Sequence, residues 1–183
     1  MLIRVDDIKE AGLNREYAAA AAEFPELSVL EQRGEVFFPE PITTKLRAIR
    51  VGEMIQLDGT VSTSVRFVCS RCLKVYPHVL ELVFTLTYAR NLPAIDDAET
   101  GEELELNAED LGLELLSGDE LDLHAVIQEQ VLLGLPLQPL CEDTCRGLCP
   151  RCGVDLNTAT CNCAGDGFAG KFSVLKDWSN RQK

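Results

Sequence analysis

The sequence contains few of the residues on which hydrolytic enzymes depend. Only two histidines, His78 and His124, occur among its 183 residues, and no histidine-rich cluster is present. A metal hydrolase or a nuclease needs an open coordination position and a histidine or carboxylate that acts as general base. We therefore expect that the protein is not an enzyme.

Long apolar segments are also absent. No run of 18 apolar residues occurs, so no membrane-spanning helix is predicted. The N-terminal residues MLIRVDDIKEAG are charged from the fourth position onward and do not resemble the apolar centre of a secretory signal. We expect a protein of the reducing cytoplasm that has no membrane partner.

Cysteine, by contrast, is abundant and clustered. One pair lies in C69-S-R-C72, and a later block holds the other six: Cys141, Cys145, Cys149, Cys152, Cys161 and Cys163. In a reducing compartment, thiolates persist as metal ligands, and four sulfurs at about 2.3 Å complete the tetrahedron that zinc prefers. The pattern favours two Zn²⁺ ions with four cysteines each. Redox C-x-x-C chemistry, structural disulfides and iron–sulfur ligation are the alternatives.

The spacing indicates how these ligands divide between two sites. A C-x2-C turn directs both of its sulfurs to one ion, and a C-x-C pair follows the later turn closely enough to close the same site. That site comprises Cys149, Cys152, Cys161 and Cys163. By elimination, the other comprises Cys69, Cys72, Cys141 and Cys145. It would tie together distant parts of the chain and stabilise the segment between them.

The two histidines have simpler interpretations than metal ligation. His78 lies shortly after Cys72 and is an alternative ligand to Cys141, but a histidine on a strand surface is the favoured reading. His124 lies near a predicted helix start, where we expect a solvated polar side chain.

The acidic charge is concentrated in one segment. The net charge is −13, yet residues 96–122 hold 12 acidic and no basic residues, which leaves 18 acidic against 17 basic residues elsewhere. DNA binding is not expected, because phosphate contacts need clustered cations. Five basic residues near the cysteines either offset the charge of the thiolates or contact RNA or protein: Arg66, Arg71, Lys74, Arg146 and Arg151. The acidic segment is either a solvated loop or a docking surface for a basic partner.

Sequence periodicity predicts the main elements. A short strand is expected within residues 1–9, a helix or an irregular segment over 15–23 ended by Pro25, and alternating strands from Val29 onward. Alternating apolar residues predict two strands, over 42–51 and 53–68, that are joined at Gly52. A further strand is predicted over 80–88. The last two strands form a long hairpin, and C69-S-R-C72 lies at its tip. Residues 111–116 are a candidate short strand. Asp122 is predicted to cap a helix over 123–134, and residues 168–178 have the spacing of an amphipathic tail helix.

These elements predict an α+β fold. An antiparallel β-sheet, with a long hairpin that carries a zinc knuckle, would be packed by one or two helices. We expect a core domain over residues 1–145, which includes the first zinc site. A small C-terminal zinc-binding module would follow over 146–165 and a tail over 166–183.

Several motifs, in order, resemble the YceD family of large ribosomal RNA subunit accumulation proteins. They are C69-S-R-C72-L, E109-D-L-G-L, G118-D-E-L-D-L123, E129-Q-V-L-L-G-L-P-L-Q-P-L-C141 and C145-R-G-L-C149-P-R-C152-G-V-D-L-N157. The likeness covers residues 60–163, with a further F-S-V-L-K stretch at 172–176. The family includes members without the last four cysteines, which implies that the site of Cys69 is the general one.

The resemblance implies a cytoplasmic bacterial factor, with a plastid counterpart, that is needed for accumulation of 23S ribosomal RNA. Its expected partner is ribosomal RNA or a ribosomal protein of the large subunit. The alternative functions are a thiol-redox protein and a zinc-stabilised adaptor unrelated to ribosomes.

Overall fold

A long antiparallel hairpin forms the centre of the fold. Strand β5 runs over Met54–Val68 and strand β6 over Val75–Ala89, and they pair along their whole length from Ile55 opposite Tyr88 to Val68 opposite Val75. Alternate residues of β5 are buried, because successive side chains of a strand point to opposite faces of the sheet. One face of the hairpin therefore lines the core and the other faces solvent.

The computed structural model describes residues 1–91, 95–96, 103–104, 112–116 and 118–163. Besides β5 and β6, its strands are β1 (Leu2–Arg4), β2 (Leu13–Ala19), β3 (Val36–Phe37), β4 (Ile42–Val51), β7 (Ile95–Asp96), β8 (Glu103–Leu104), β9 (Glu114–Leu115) and β10 (Glu120–Asp122). The α-helices are α1 (Pro25–Gln32) and α2 (Leu123–Gly134), and Val5–Asp7 and Ala21–Glu23 form short 3-10 helices. Within the described residues, no helix is long and apolar enough to cross a membrane.

The main sheet has six strands. Its order is β2-β4-β5-β6-β9, and β3 also pairs with β5, at the end nearest the hairpin tip. All of these pairs are antiparallel except β6 with β9, which is parallel. The expected α+β class with an antiparallel sheet is confirmed, with β9 as a short parallel addition. The division into three domains stays a prediction.

Both helices pack against the core face of this sheet. Helix α2 buries Leu123, Val126, Ile127 and Val131, and α1 buries Leu27. The cap of α2 is the predicted one, because the side chain of Asp122 accepts a hydrogen bond from the backbone N–H of His124 at 2.9 Å. Immediately before this helix, β10 pairs with β1, which brings the N-terminal strand beside it.

Four local predictions were wrong or too long: the helix over 15–23, the helix end at Pro25, the start of the strands at Val29, which lies in helix α1, and the length of the first strand. Residues 13–19 form strand β2 rather than a helix, because Leu13, Tyr17 and Ala19 face the core and the segment pairs with β4. The pairing outweighs the helix propensity of the alanine run. Pro25 begins a helix instead of ending one, since its missing N–H is not needed in the first helical turn. The first strand is only three residues long.

His124 also differs from its prediction. It is half-buried, and its ring lies against Phe24 with the ring centroids 4.4 Å apart. Its Nε2 is buried and makes no hydrogen bond to any described residue. His78, as predicted, is exposed on strand β6. The candidate strand at 111–116 is observed as Glu114–Leu115, whereas the predicted tail helix at 168–178 lies outside the described residues.

Candidate metal centres

The hairpin tip places the first two cysteines. Cys69 follows the last residue of β5, and a tight turn returns the chain to β6. The turn is closed by hydrogen bonds from the N–H of Cys69 to the carbonyl oxygen of Lys74 at 2.9 Å and from Leu73 N–H to Cys69 O at 3.0 Å. Leu73 has a φ of 61°, a left-handed conformation that helps the turn to bend. Cys69 and Cys72 thus lie on a rigid support.

The segment after helix α2 brings the other half of this site. Residues 135–140 contain Pro136 and Pro139, which restrict the backbone to extended conformations. The carbonyl oxygen of Pro139 accepts a hydrogen bond from the N–H of Ser70 at 2.8 Å. This contact fixes the segment against the hairpin tip, with Cys141 two residues further on.

Four thiols meet where these elements converge. We call them the first thiol cluster: Cys69, Cys72, Cys141 and Cys145. The Sγ atoms of Cys69 and Cys145 lie 3.8 Å apart, and those of Cys72 and Cys141 lie 3.6 Å apart. Three of the four cysteines are buried, and Cys141 is half-buried. Tyr76, Leu140 and Leu148 pack against the cluster and limit its access to water.

A second group of thiols lies in the segment that follows. We call it the second thiol cluster: Cys149, Cys152, Cys161 and Cys163. Its C-x2-C turn is closed by a hydrogen bond from Gly153 N–H to Cys149 O at 2.9 Å, and Gly153 has the left-handed φ of 73° that the turn requires. The Sγ atoms of Cys149 and Cys161 are 3.4 Å apart. Cys152 and Cys163 are exposed, so this cluster is the more accessible of the two.

The grouping of the eight cysteines is the one that their spacing indicated. Within each cluster all four sulfurs lie within 4.8 Å of one another. Sulfurs bound at about 2.3 Å to one tetrahedral ion are separated by about 3.8 Å, close to the observed pairs. The donor set therefore fits a single zinc ion in each cluster. The binding of zinc itself stays a prediction, as does the ligand role of each cysteine.

The protein environment lowers the pKa of one thiol in each cluster and raises the pKa of another. Burial raises the pKa of Cys69, but backbone N–H donors from Cys72, Cys141 and Arg71 outweigh it and lower that pKa to about 6. Backbone N–H groups of Cys152 and Arg151 likewise lower the pKa of Cys149 to about 6.

Another thiol in each cluster is shifted in the opposite direction. Burial raises the pKa of Cys141 to about 12, and the thiol hydrogen bond with Cys72 adds to the effect. The hydrogen bond with Cys152, together with burial, raises the pKa of Cys163 to about 12. At neutral pH, a metal ion that enters either cluster must therefore displace protons.

The five basic residues lie in different surroundings. Arg66 is exposed on the outer face of β5, and Lys74, Arg146 and Arg151 are exposed around the two clusters. Arg71 has a structural contact, because its Nη1 donates to the carbonyl oxygens of Cys145 at 2.9 Å and Asp143 at 3.2 Å. Contact of any of these residues with RNA or protein stays a prediction.

Asn157 is a residue that the sequence analysis did not single out. It lies between Cys152 and Cys161 of the second cluster, and its Nδ2 donates to the Sγ of Cys145 in the first cluster at 3.4 Å. Its position in the D155-L-N157 motif was visible in the sequence. The direction of its side chain was not.

The family model described as "Large ribosomal RNA subunit accumulation protein YceD" matches residues 57–178, which is more than half of the chain and includes all eight cysteines. The chain belongs to the YceD family. No solved structure gives a significant match to it.

The chain is also similar to several proteins of bacteria and plants. An uncharacterized protein of Mycobacterium tuberculosis is 34% identical over 111 residues, which are 61% of this chain and 49% of the relative. A chloroplastic YCED homolog 1 of Zea mays is 25% identical over 143 residues, covering 67% and 48% of the two chains. The Haemophilus influenzae protein named for large ribosomal RNA subunit accumulation is 27% identical over 139 residues, covering 75% and 74%. The chain thus spans about half the length of the mycobacterial and plant relatives.

Proposed function

We propose that this YceD-family chain is a non-enzymatic, zinc-binding cytoplasmic factor that supports accumulation of 23S ribosomal RNA and biogenesis of the large ribosomal subunit. It would do so by binding an assembly intermediate. The observation that carries the proposal is the pair of four-thiol clusters in a member of a family named for ribosomal RNA accumulation. The relatives from Zea mays and Haemophilus influenzae bear the same name.

The metal has a structural role in this proposal. Four thiolates fill the tetrahedral shell of a zinc ion and leave no position for a water or a substrate, unlike the three-ligand sites of zinc hydrolases. The first cluster joins the hairpin tip to the segment after α2, two parts of the chain that are far apart in sequence. An ion held there would restrict the unfolded chain and so stabilise the folded one.

The position of the clusters supports a proposal for the binding surface. They lie at one end of the long hairpin, where the exposed side chains of Lys74, Arg146 and Arg151 surround them. Four thiolates around Zn²⁺ carry a charge of about −2, so these cations partly offset the metal sites. They also give this end of the molecule the positive groups that RNA phosphates require. We place contact with ribosomal RNA, or with a ribosomal protein of the large subunit, at this end.

The experiment measures the ratio of 23S to 16S ribosomal RNA in cells depleted of this protein. We expect the ratio to fall, and we expect wild type to restore it whereas Cys69→Ser does not. Ser70→Ala is the matched control, because Ser70 is exposed on the same turn and its hydrogen bond to Pro139 comes from the backbone N–H, which the substitution keeps. An unchanged ratio on depletion would reject the ribosomal role. Full rescue by Cys69→Ser would show that the ribosomal role does not need the first thiol cluster.

A further inference from the structure

The two thiol clusters are connected by the side chain of one residue. Asn157 belongs to the loop that joins Cys152 to Cys161, both in the second cluster, yet its Nδ2 donates to Cys145 Sγ in the first cluster at 3.4 Å. We propose that Asn157 couples the two clusters, so that a metal ion in the second strengthens metal binding in the first. The inference rests on the proposed binding of metal by both clusters.

The amide of Asn157 is held in one orientation. Its Oδ1 accepts a hydrogen bond from the backbone N–H of Arg146 at 2.7 Å, and its Nδ2 also donates to the carboxylate of Asp155 at 2.7 Å. An asparagine amide has two N–H donors, and here one serves Asp155 while the other serves Cys145. The same carboxylate accepts from the backbone N–H of Asn157 at 2.9 Å. Both the backbone and the side chain of this residue are therefore fixed.

The bond to sulfur matters because Cys145 would be a metal ligand. A hydrogen bond to a metal-bound thiolate stabilises its negative charge and fixes the direction of its lone pairs. Loss of such an outer partner typically weakens metal affinity by about 10- to 100-fold. Asn157 is thus a positioning residue for the first cluster, although it lies in the loop of the second.

The second cluster controls this bond because it closes the loop that carries Asn157. Residues 153–160 run between the two cysteine pairs of that cluster, and an ion that binds both pairs fixes the ends of the loop. The loop also contacts the segment that carries Cys145, through a hydrogen bond from Leu156 N–H to Gly147 O at 2.9 Å. When the second ion is absent, we expect the loop to lose order and the amide to leave Cys145. By linkage, the first ion must strengthen binding of the second by the same factor.

The test is a zinc titration of the reduced, metal-free full chain, with native mass spectrometry to count chains that hold no, one or two ions. Coupled sites leave few chains with one ion. The measured quantity is the population with one ion divided by the geometric mean of the populations with no ion and with two ions. This ratio varies with the square root of the coupling factor. For a coupling of about 10- to 100-fold, we expect Asn157→Ala to raise the ratio about three- to tenfold. Asn157→Asp keeps the shape of the side chain and loses both donors, so it should give at least the same rise. Thr160→Ala, exposed in the same loop, is the control and should load like wild type.

The outcomes separate this inference from the proposed function. If wild type and Asn157→Asp load with the same distribution, or if wild type fills its two sites independently, the coupling is rejected while zinc binding stands. If wild type binds no zinc at all, the proposed metal role itself fails. Circular dichroism of the metal-loaded variants shows whether each one folds.

Discussion

Arg71 donates from Nη1 to the carbonyl oxygen of Cys145 at 2.9 Å and so joins two segments 74 positions apart in the sequence. A second hydrogen bond joins the same two segments in the other direction: the N–H of Leu148 donates to the carbonyl oxygen of Arg71 at 3.1 Å. Gly147 approaches the same carbonyl so closely that an added Cβ would lie 2.9 Å from it. The turn that carries Cys69 and Cys72 is therefore bound directly to the segment that carries Cys145.

We predict that Arg71→Ala weakens zinc binding at the first thiol cluster by about tenfold. The variant loses two charge-assisted hydrogen bonds to the backbone around Cys145, and because Arg71 is exposed we expect their combined loss to cost about 1.4 kcal/mol, which is tenfold in affinity. Competition with a chromophoric chelator measures the change. Lys74→Ala removes a cation from the same exposed turn and should keep wild-type affinity; equal weakening in both variants would indicate that charge alone is responsible.

We predict that Cys69→Ser and Cys152→Ser each lose one zinc ion but differ in stability. The first cluster closes the long chain segment between Cys72 and Cys141, whereas the second closes the short loop between Cys152 and Cys161. The difference in loop length corresponds to about 2 kcal/mol of closure entropy, and Cys69 is also buried while Cys152 is exposed. Thermal unfolding should show the larger loss for Cys69→Ser. Wild-type zinc content and melting temperature in Cys69→Ser would contradict the assignment.

The close approach at Gly59 gives a prediction about the sheet. A Cβ at this position would clash with the ring of Phe84 and lie 2.7 Å from Leu46, both on neighbouring strands. Gly59→Ala should therefore lower the free energy of unfolding by about 1–3 kcal/mol, because the ring must move within a packed layer. Urea unfolding measures the loss. Thr60→Ala, exposed on the next position of β5, should cost less than this.

Tyr88 gives a prediction about alkaline pH. Burial, with a smaller effect from the carboxylates of Glu114 and Glu129, raises its pKa to about 12. The unfolded chain releases this proton near pH 10, so the folded state keeps its full stability below pH 10 and loses it as the pH rises toward 12. The loss is on the order of 2 kcal/mol. Tyr88→Phe should remove this alkaline loss of stability. The unfolding free energy of the variant should therefore differ less between pH 8 and pH 11 than that of wild type. An identical alkaline loss in both proteins would reject the assignment.

Elements with strong local patterns were predictable from the sequence. Strands β4 and β5 were found because apolar residues alternate and Gly52 separates the strands, and α2 because apolar residues recur at helical spacing after the capping Asp122. The two cysteine groups followed from spacing, since a C-x2-C turn and a nearby C-x-C pair can reach one point.

The remaining features depend on contacts that a sequence pattern does not contain. Strand β2 ends within an alanine run that favours a helix, and its pairing with β4 makes this segment a strand. His124 is polar and begins a helix, but the ring of Phe24 covers it. Arg71 and Asn157 were recognisable as residue types, whereas the bonds they make to the segment around Cys145 depend on how two distant turns pack together.

Zinc in both clusters is the claim on which the proposed function depends, and the metal content of the purified chain tests it most directly. Native mass spectrometry with elemental analysis, on protein purified under reducing conditions without chelator, should give two zinc ions per chain. Cys69→Ser and Cys161→Ser should each give fewer. A chain that carries no metal, or whose cysteines are joined as disulfides, would contradict the central claim.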